Sequence, residues 1–122
     1  KNRNIKFHFD MFHGNGNLDK AINVLNENDR EDFRNFVNYN KSYNQGNMFI
    51  CKSKELMIEY YETIFKWLGE CEKIFGFDLS NYGKIRIYGF LAERFLPFWF
   101  QKYTNSLNWP VIFHDINKNE NI

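Results

Sequence analysis

The chain has 122 residues, and its 16 Lys and Arg against 15 Asp and Glu leave a formal net charge of only +1. A nearly neutral chain with scattered basic residues lacks the positive field that nucleic-acid binding requires, which argues against a nucleic-acid partner. The length allows one domain with a real core, and no apolar run reaches the ~18 to 20 residues that a transmembrane segment needs.

The two cysteines, Cys51 and Cys71, form neither a CxxC motif nor a cluster. A disulfide scaffold and a zinc site are therefore disfavoured, and we expect a cytoplasmic protein, free or peripheral at the inner face of the membrane. The N-terminus KNRNIKFHFD has no signal-peptide core and no initiator Met. We interpret the chain as a piece of a longer protein.

The first predicted element is a short strand or extended segment from Asn4 to Phe9, where Ile5, Phe7 and Phe9 alternate with polar residues. Its polar side begins the spacing H-x-D-x-x-H, formed by His8, Asp10 and His13. This spacing suits a divalent metal or polar contacts to a sugar, and it equally suits ordinary hydrogen-bonded surface groups.

The sequence HGNGN, which contains Gly14 and Gly16, predicts a turn that leads into a helix. It lacks the Lys-Ser/Thr ending of a phosphate-binding loop and the full dinucleotide fingerprint. The helical pattern that follows runs through Leu18, Ile22 and Leu25. Asp29 is the predicted N-cap of a second helix, which covers residues 30–39.

The polar stretch from Asn40 to Gly46 predicts a loop, and the apolar quartet from Met48 to Cys51 predicts a short buried strand. Asn47 would then lie at the mouth of that strand. Side-chain amides at such positions often contact ligands, although completing the turn is the simpler role for this residue.

The longest amphipathic pattern predicts a helix that Ser53 caps and Gly76 ends. Apolar residues recur along it at three- and four-residue steps. They are Met57, Tyr61, Ile64, Leu68, Cys71 and Phe75.

The stretch from Asn81 to Phe100 predicts a second, more apolar helix that Pro97 is able to kink. One stripe, expected to pack in the core, holds Ile85, Tyr88, Ala92, Phe95 and Trp99. A neighbouring stripe holds Arg86, Gly89, Phe90, Glu93 and Pro97. On this second stripe Gly89 lies one turn before Glu93 and removes side-chain bulk beside the carboxylate, which is a way to form a small polar pocket.

Two charged residues on this helix have alternative roles. Glu93, among aromatic neighbours, is either half of an ion pair with a cation such as Arg86 or Arg94, or a general base. Arg94 is either a structural donor or a cation that faces a ligand such as phosphate.

The predicted fold class is α+β, a helix-dominated single domain over residues 1–113 with a few short strands. Trp109 to Phe113 is the last predicted extended segment, and residues 114–122 form a polar tail that we expect to be disordered. The aromatic content of 20% suits clefts that stack against sugar rings, and it suits a large core equally well.

The stretch GNMFICKSKELMIEYYETIF, followed by YGKIRIYGFLAERFLPFWF, resembles the C-terminal part of the bacterial glycosyltransferases of the DUF4422 family. The resemblance covers the chain from about Phe9 to Phe113. It implies the later half of a GT-A-like enzyme of capsular or exopolysaccharide biosynthesis. That half supplies acceptor contacts and the base, whereas an upstream nucleotide-binding half of the same polypeptide supplies the donor site.

The resemblance also implies roles for particular residues. Asn47 would lie at the active-site edge of its strand, and Gly89 and Phe90 would shape the cleft. Glu93 would be the catalytic base, and Arg94 would steady the nucleotide diphosphate leaving group or orient the base. His8 and His13 match a His-containing segment of the family and are assigned to substrate binding.

The implied partners are a nucleotide-sugar donor and a glycan acceptor. The metal-binding acidic motif of the family has no counterpart here, so a divalent metal would belong to the full-length enzyme, and this part alone is predicted to be inactive. A non-catalytic carbohydrate-binding or interaction module is the alternative function, because the same aromatic surplus suits it.

Overall fold

The computed structural model describes residues 3–110, and within this range it contains six α-helices and no β-strand. The helices are α1 (Ile5–His13), α2 (Asn17–Asn23), α3 (Glu27–Tyr39), α4 (Lys54–Phe75), α5 (Tyr82–Ile85) and α6 (Ile87–Tyr103). The predicted α+β class is therefore wrong for the described part of the chain, which is all-helical. Residues 111–113 of the last predicted extended segment and the predicted tail 114–122 lie outside the described residues. None of the helices described between residues 3 and 110 is long and apolar enough to cross a membrane.

The segment predicted as the first strand is helix α1. Its N-terminus is capped by Asn4, whose side chain accepts a hydrogen bond from the Phe7 backbone N–H at 2.7 Å. Ile5, Phe9 and His13 are buried at four-residue steps, whereas Phe7 is exposed. An alternation of only five residues fits both periods, and here the helical period is the one that buries the apolar side chains.

The segment predicted as the second strand, Met48 to Cys51, has no regular secondary structure. Ile50 is 98% exposed, and Met48 is exposed as well. Only Phe49 of this segment packs inward, with ring centroids 5.6 Å from Tyr60 and 5.1 Å from Phe100. No strand among residues 3–110 is available to pair with this segment, so contacts of one partly buried ring take the place of a hydrogen-bond ladder.

The predictions for the three middle helices are mostly confirmed. Helix α2 follows the glycine turn, and α4 is capped by Ser53 and ends at Gly76 as predicted. Helix α3 begins at Glu27 because Asn26 is its N-cap and accepts from the Asp29 N–H at 3.0 Å. The cap predicted at Asp29 is therefore wrong, since an earlier Asn already satisfies the free N–H groups of the first turn.

The buried face of α4 is rotated relative to the predicted stripe. Ile64 and Cys71 are buried as predicted, but Tyr60 and Trp67 complete the face, and Tyr61 is exposed. Burial raises the pKa of the Cys71 thiol to about 12, so this cysteine is an inert core residue. Tyr60 and Trp67 replace the predicted residues because α2, α3 and α6 lie on that side of α4.

The predicted helix over residues 81–100 is divided at Arg86 into α5 and α6. Phe95 and Trp99 are buried as predicted, whereas Ile85 of the predicted packing stripe is exposed. Pro97 lies inside α6, which continues to Tyr103 as one helix. Because proline has no backbone N–H, the Glu93 carbonyl does not receive its usual intrahelical hydrogen bond.

The core is an aromatic cluster centred on Phe33 of α3. Its ring contacts Trp67 of α4 and Phe95 of α6 edge-on, at 5.7 and 5.3 Å between centroids. The Trp67 Nε1–H donates to the Ala21 carbonyl at 2.7 Å, which ties α4 to α2 and satisfies the one polar atom that the indole buries. Helices α1 and α6 are thereby held against the same core, and the N-terminal half of α6 borders the candidate site.

Candidate functional site

A cavity of about 350 Å³ lies between α1, the loop after α3 and the N-terminal half of α6. It is lined by Ile5, His8, Phe12, His13, Lys41, Ser42, Tyr43, Gln45, Phe90, Glu93 and Arg94. Five of the seven residues that the sequence assigned to the site therefore border one cavity. We call this cavity the Arg94 pocket.

Arg94 is a buried cation, with only 5% of its surface exposed. Its guanidinium carbon lies 5.1 Å from the ring centroid of Phe9 and 4.9 Å from that of Tyr43. These cation–π contacts stabilise the charge in part, because the electron-rich face of each ring attracts a cation. Burial lowers the pKa of Arg94, while Tyr43 and Glu93 act in the opposite direction.

The hydrogen bonds of Arg94 are incomplete. Nη1 donates to the Phe90 carbonyl at 3.0 Å, and the same atom lies 3.6 Å from the Glu93 carboxylate. Nη2 lies 3.5 Å from His13 Nε2. The buried Nε–H has no partner among the described residues. Adjacent residues of a helix point in different directions, so Glu93 is a poorly aligned partner for this cation.

His13 is held in one tautomer. Its Nδ1 lies 3.0 Å from the Gly83 carbonyl, which can only accept, so Nδ1 carries the proton and Nε2 is free to accept from Arg94. Burial lowers the pKa of His13 and the nearby Arg94 lowers it further, while the bond to Gly83 raises it. The ring also stacks on Phe90 at 4.0 Å. His13 is thus a neutral side chain that positions Arg94 and Phe90.

Gly83 permits this arrangement. A Cβ atom added to it would lie 2.0 Å from the Phe12 carbonyl oxygen, so any larger residue would push α5 away from the end of α1. Sequence reasoning missed Gly83, because a glycine near the start of a helix carries no signal of what approaches it. It also missed Phe9 and Tyr43, the two rings over Arg94, whose positions depend on how α1 and the loop fold together.

Glu93 and His8 lie toward the mouth of the Arg94 pocket. The Glu93 side chain is 26% exposed, which lets a ligand reach its carboxylate without a change of fold. His8 is half-buried, and its ring packs edge-on against Phe7 at 5.6 Å. Phe12, 63% exposed, adds an apolar wall beside them. The mouth of the pocket therefore combines a carboxylate, an imidazole and an aromatic ring.

Asn47 and Gly89 do not line the pocket but lie together beside it. The Asn47 Nδ2 donates to the Gly89 carbonyl at 3.4 Å, and both residues are exposed. A Cβ atom on Gly89 would meet nothing within 4 Å. The structure therefore does not require a glycine at position 89 to make room beside Glu93.

The side chains of the H-x-D-x-x-H motif do not point to a common site. Asp10 accepts a hydrogen bond from Lys6 at 2.7 Å and another from the Gly16 N–H at 3.3 Å, while His13 binds Gly83. Between residues 3 and 110, no group of three His, Cys, Asp or Glu side chains is arranged to hold a metal ion. Asp10 instead ties α1 to the glycine turn before α2.

A second cavity of about 340 Å³ lies at the other end of α6. Asn26, Asn28, Asp29, Glu59, Glu62, Thr63, Trp99 and Tyr103 line it. Asp29 is 3% exposed, and its carboxylate accepts hydrogen bonds from Lys102, Tyr103 and Asn26. Burial alone would raise the pKa of Asp29, but these three bonds hold it below the usual 3.8. We call this arrangement the Asp29 network.

Residues 1–105 match the model of a family described as a domain of unknown function (DUF4422). The chain belongs to the DUF4422 family. The family resemblance that the sequence motifs indicated is thereby confirmed, and the family description itself names no activity. Searches among curated proteins and among solved structures found no match.

Proposed function

We propose that this DUF4422 chain is the acceptor-side part of a glycosyltransferase that moves a sugar from a nucleotide-sugar donor to a capsular or surface polysaccharide. The main support is the position of Glu93. Its carboxylate lies at the mouth of a cavity bordered by Phe12, Phe90 and Arg94, within reach of a ligand. A carboxylate beside aromatic walls is the arrangement that binds a sugar and accepts a proton from it.

In the proposed reaction Glu93 accepts the proton of an acceptor hydroxyl as the oxygen attacks the anomeric carbon of the donor sugar. The bond from that carbon to the nucleoside diphosphate breaks, and the diphosphate leaves with the bonding electrons. Phe12 and Phe90 would stack against the acceptor ring and exclude water, which fixes the angle of attack. The donor would be held by an upstream nucleotide-binding half of the same polypeptide.

The test of this proposal is Glu93→Gln in the full-length enzyme. The amide keeps the size of the side chain but cannot take the proton, so we expect turnover to fall by roughly 100-fold. The melting temperature should change little, since the ion pair with Arg94 is long at 3.6 Å. Transfer would be measured with a panel of nucleotide sugars and polysaccharide acceptors.

Glu62→Gln is the matched control, because Glu62 lines the second cavity and is exposed. It should leave turnover unchanged. Near-normal turnover of the Glu93 variant together with a large drop in its melting temperature would show that Glu93 is a structural ion-pair partner. The base assignment would then be wrong.

A non-catalytic carbohydrate-binding module is the second candidate. It is favoured by aromatic side chains at and beside the pocket, because Phe12 is exposed and Tyr82 packs edge-on to Phe90 at 6.0 Å. Exposed rings of this kind bind sugars without chemistry. Glycan binding by the full-length protein, with no turnover of any nucleotide sugar and no effect of Glu93→Gln on affinity, would favour the module.

A further inference from the structure

The charge around the Arg94 pocket is not balanced. Three of its lining side chains carry a formal charge at neutral pH, namely the cations Arg94 and Lys41 and the carboxylate of Glu93. His13 carries its proton on Nδ1, toward the Gly83 carbonyl, so its neutral ring presents Nε2 as an acceptor and adds no charge to the pocket. One positive charge in the pocket therefore has no counterpart.

Arg94 carries the deeper of the two cations. The rings of Phe9 and Tyr43 both lie within cation–π distance of its guanidinium, and the N–H donors of that planar group all lie along its edge. On that edge the Nε–H has no partner, and the contacts to Glu93 and His13 are long at 3.6 and 3.5 Å. A buried guanidinium normally has all its donors used, because an unused buried donor costs free energy.

Lys41 differs from Arg94 in position but not in sign. It is exposed in the loop after α3, at the mouth of the same cavity. A cation at the mouth attracts an anion from solution, and a buried cation with an unpartnered donor holds it, because Coulomb attraction is stronger away from water. Lys41 and Arg94 together attract an anionic group from the mouth of the pocket toward its interior.

We propose that the Arg94 pocket binds the anionic group, a carboxylate or a phosphate, of a glycan substrate. Arg94 is the buried cationic contact, Lys41 the outer one, and Phe12 with Phe90 packs against the sugar ring. The pocket volume of about 350 Å³ lies at the small end of the range of about 300 to 1,000 Å³ for ligand sites, which suits one sugar unit. The identification of the ligand as a glycan rests on the proposed function, whereas the preference for an anion rests on the charges alone.

A neutral sugar would leave one positive charge of the Arg94 pocket without a counterpart. Its hydroxyl groups could accept hydrogen bonds from the guanidinium, but they bring no negative charge. An anionic oxygen makes a charge-assisted hydrogen bond, which is roughly twice as strong as a neutral one. The structure therefore favours an acidic or phosphorylated sugar over its neutral counterpart.

The experiment is a calorimetric titration of the full-length protein with glucuronate, glucose 1-phosphate, inorganic phosphate and neutral glucose. We expect at least one anionic sugar to bind about 10-fold or more tightly than glucose. Raising the salt concentration should weaken that preference. Preference for glucuronate identifies a carboxylate ligand, and preference for glucose 1-phosphate identifies a phosphate ligand.

Variants with opposite charge changes test the location. Arg94→Met should abolish the preference, while Arg34→Met, on the surface of α3, should keep it. Lys41→Met should weaken anion binding by about 2- to 3-fold, and Glu93→Gln should tighten it by a similar factor, because one removes a positive and the other a negative charge. Lys41 and Glu93 are not buried, so their two variants still locate the anion site if Arg94→Met does not fold.

Equal affinity for glucose and the anionic sugars, or an anion preference that none of Arg94→Met, Lys41→Met and Glu93→Gln alters, would overturn the inference. These results are independent of turnover. Anion binding at Arg94 without sugar transfer would support the inference and contradict the proposed function. Transfer that depends on Glu93, with no anion preference, would do the reverse.

Discussion

Two buried charges beside the two halves of helix α6, Asp29 and Arg94, differ in how completely they are hydrogen-bonded. At the C-terminal end Asp29 accepts hydrogen bonds from the side chains of Lys102, Tyr103 and Asn26, at 2.5 to 2.9 Å. In the N-terminal half of α6, Arg94 has one good side-chain hydrogen bond, to the Phe90 carbonyl, and an Nε–H without a partner among the described residues. Both residues are buried, at 3% and 5% exposure, so the difference lies in their partners.

This difference separates a structural charge from a candidate binding charge. The Asp29 network joins the start of α3 to the end of α6, and its bonds are complete within the protein. The Lys102 pKa shows the same coupling, because burial lowers it but hydrogen bonds to Asp32 and Asp29 raise it above its usual value. Arg94, in contrast, borders a cavity open to solvent and has bonding capacity left for a ligand.

Asp29→Asn should give the largest loss of stability. The amide cannot accept at both of its polar atoms, so Lys102, Tyr103 or Asn26 loses its acceptor, and we expect a loss of about 3 kcal/mol. Urea denaturation measures it. The control is Asp32→Asn, because Asp32 also pairs with Lys102 at 2.9 Å but is largely exposed, and it should cost about 0.5 kcal/mol or less. Equal losses would mean that Asp29 is no more structural than a surface carboxylate.

Gly83→Ala should lower the free energy of unfolding by about 2 kcal/mol, since its Cβ would overlap the Phe12 carbonyl oxygen. Gly89→Ala is the matched control, because its Cβ would meet no atom within 4 Å. Replacing a helical glycine where there is space should stabilise the fold by about 0.5 kcal/mol. Thermal unfolding of the two variants should therefore shift in opposite directions. A loss in both would mean that Gly89 is also needed for packing.

Arg94→Met should change the free energy of unfolding by less than about 1 kcal/mol, because an incompletely paired buried charge is replaced by an apolar side chain of similar length. The Phe90 carbonyl still accepts the intrahelical hydrogen bond from the backbone N–H of residue 94, and His13 loses only a 3.5 Å contact. Urea denaturation beside Asp29→Asn makes the comparison direct. A loss above about 3 kcal/mol would place both charges in the structural class.

The smallest expected effect is a pH dependence that differs between the two ends. The folded-state pKa of His13 is lowered from 6.5, so as the pH falls below 6.5 the unfolded chain binds the proton first and stability decreases. The folded-state pKa of Asp29 is lowered from 3.8. Its contribution to stability is therefore fully present above pH 3.8 and is lost only as the pH falls through the folded-state pKa. His13→Gln should remove the upper step, whereas His8→Gln should keep it. Stability that is flat from pH 7 to pH 5 in the parent protein would contradict this.

The sequence was informative where structure is local. Ser53 and Gly76 lie at the two ends of α4, and the caps and period of that helix involve only nearby residues. The candidate site was partly predicted for the same reason. Phe90 and Glu93 lie on one predicted stripe of the same helix, and Arg94 lies one turn after Phe90, so their closeness follows from the helical period without knowledge of any neighbour.

Short apolar segments and the partners of buried charges were decided by tertiary contacts. Residues 4–9 and 48–51 fit a strand pattern, but a strand needs a partner, and none exists between residues 3 and 110. Asp29 was predicted as a cap because its bonds to Lys102 and Tyr103 span more than 70 positions of sequence. Likewise, Phe9 and Tyr43 enclose Arg94 only because α1 and the loop after α3 pack against α6. Local hydrogen bonding fixed the long helices, whereas packing between distant elements decided which charges are satisfied.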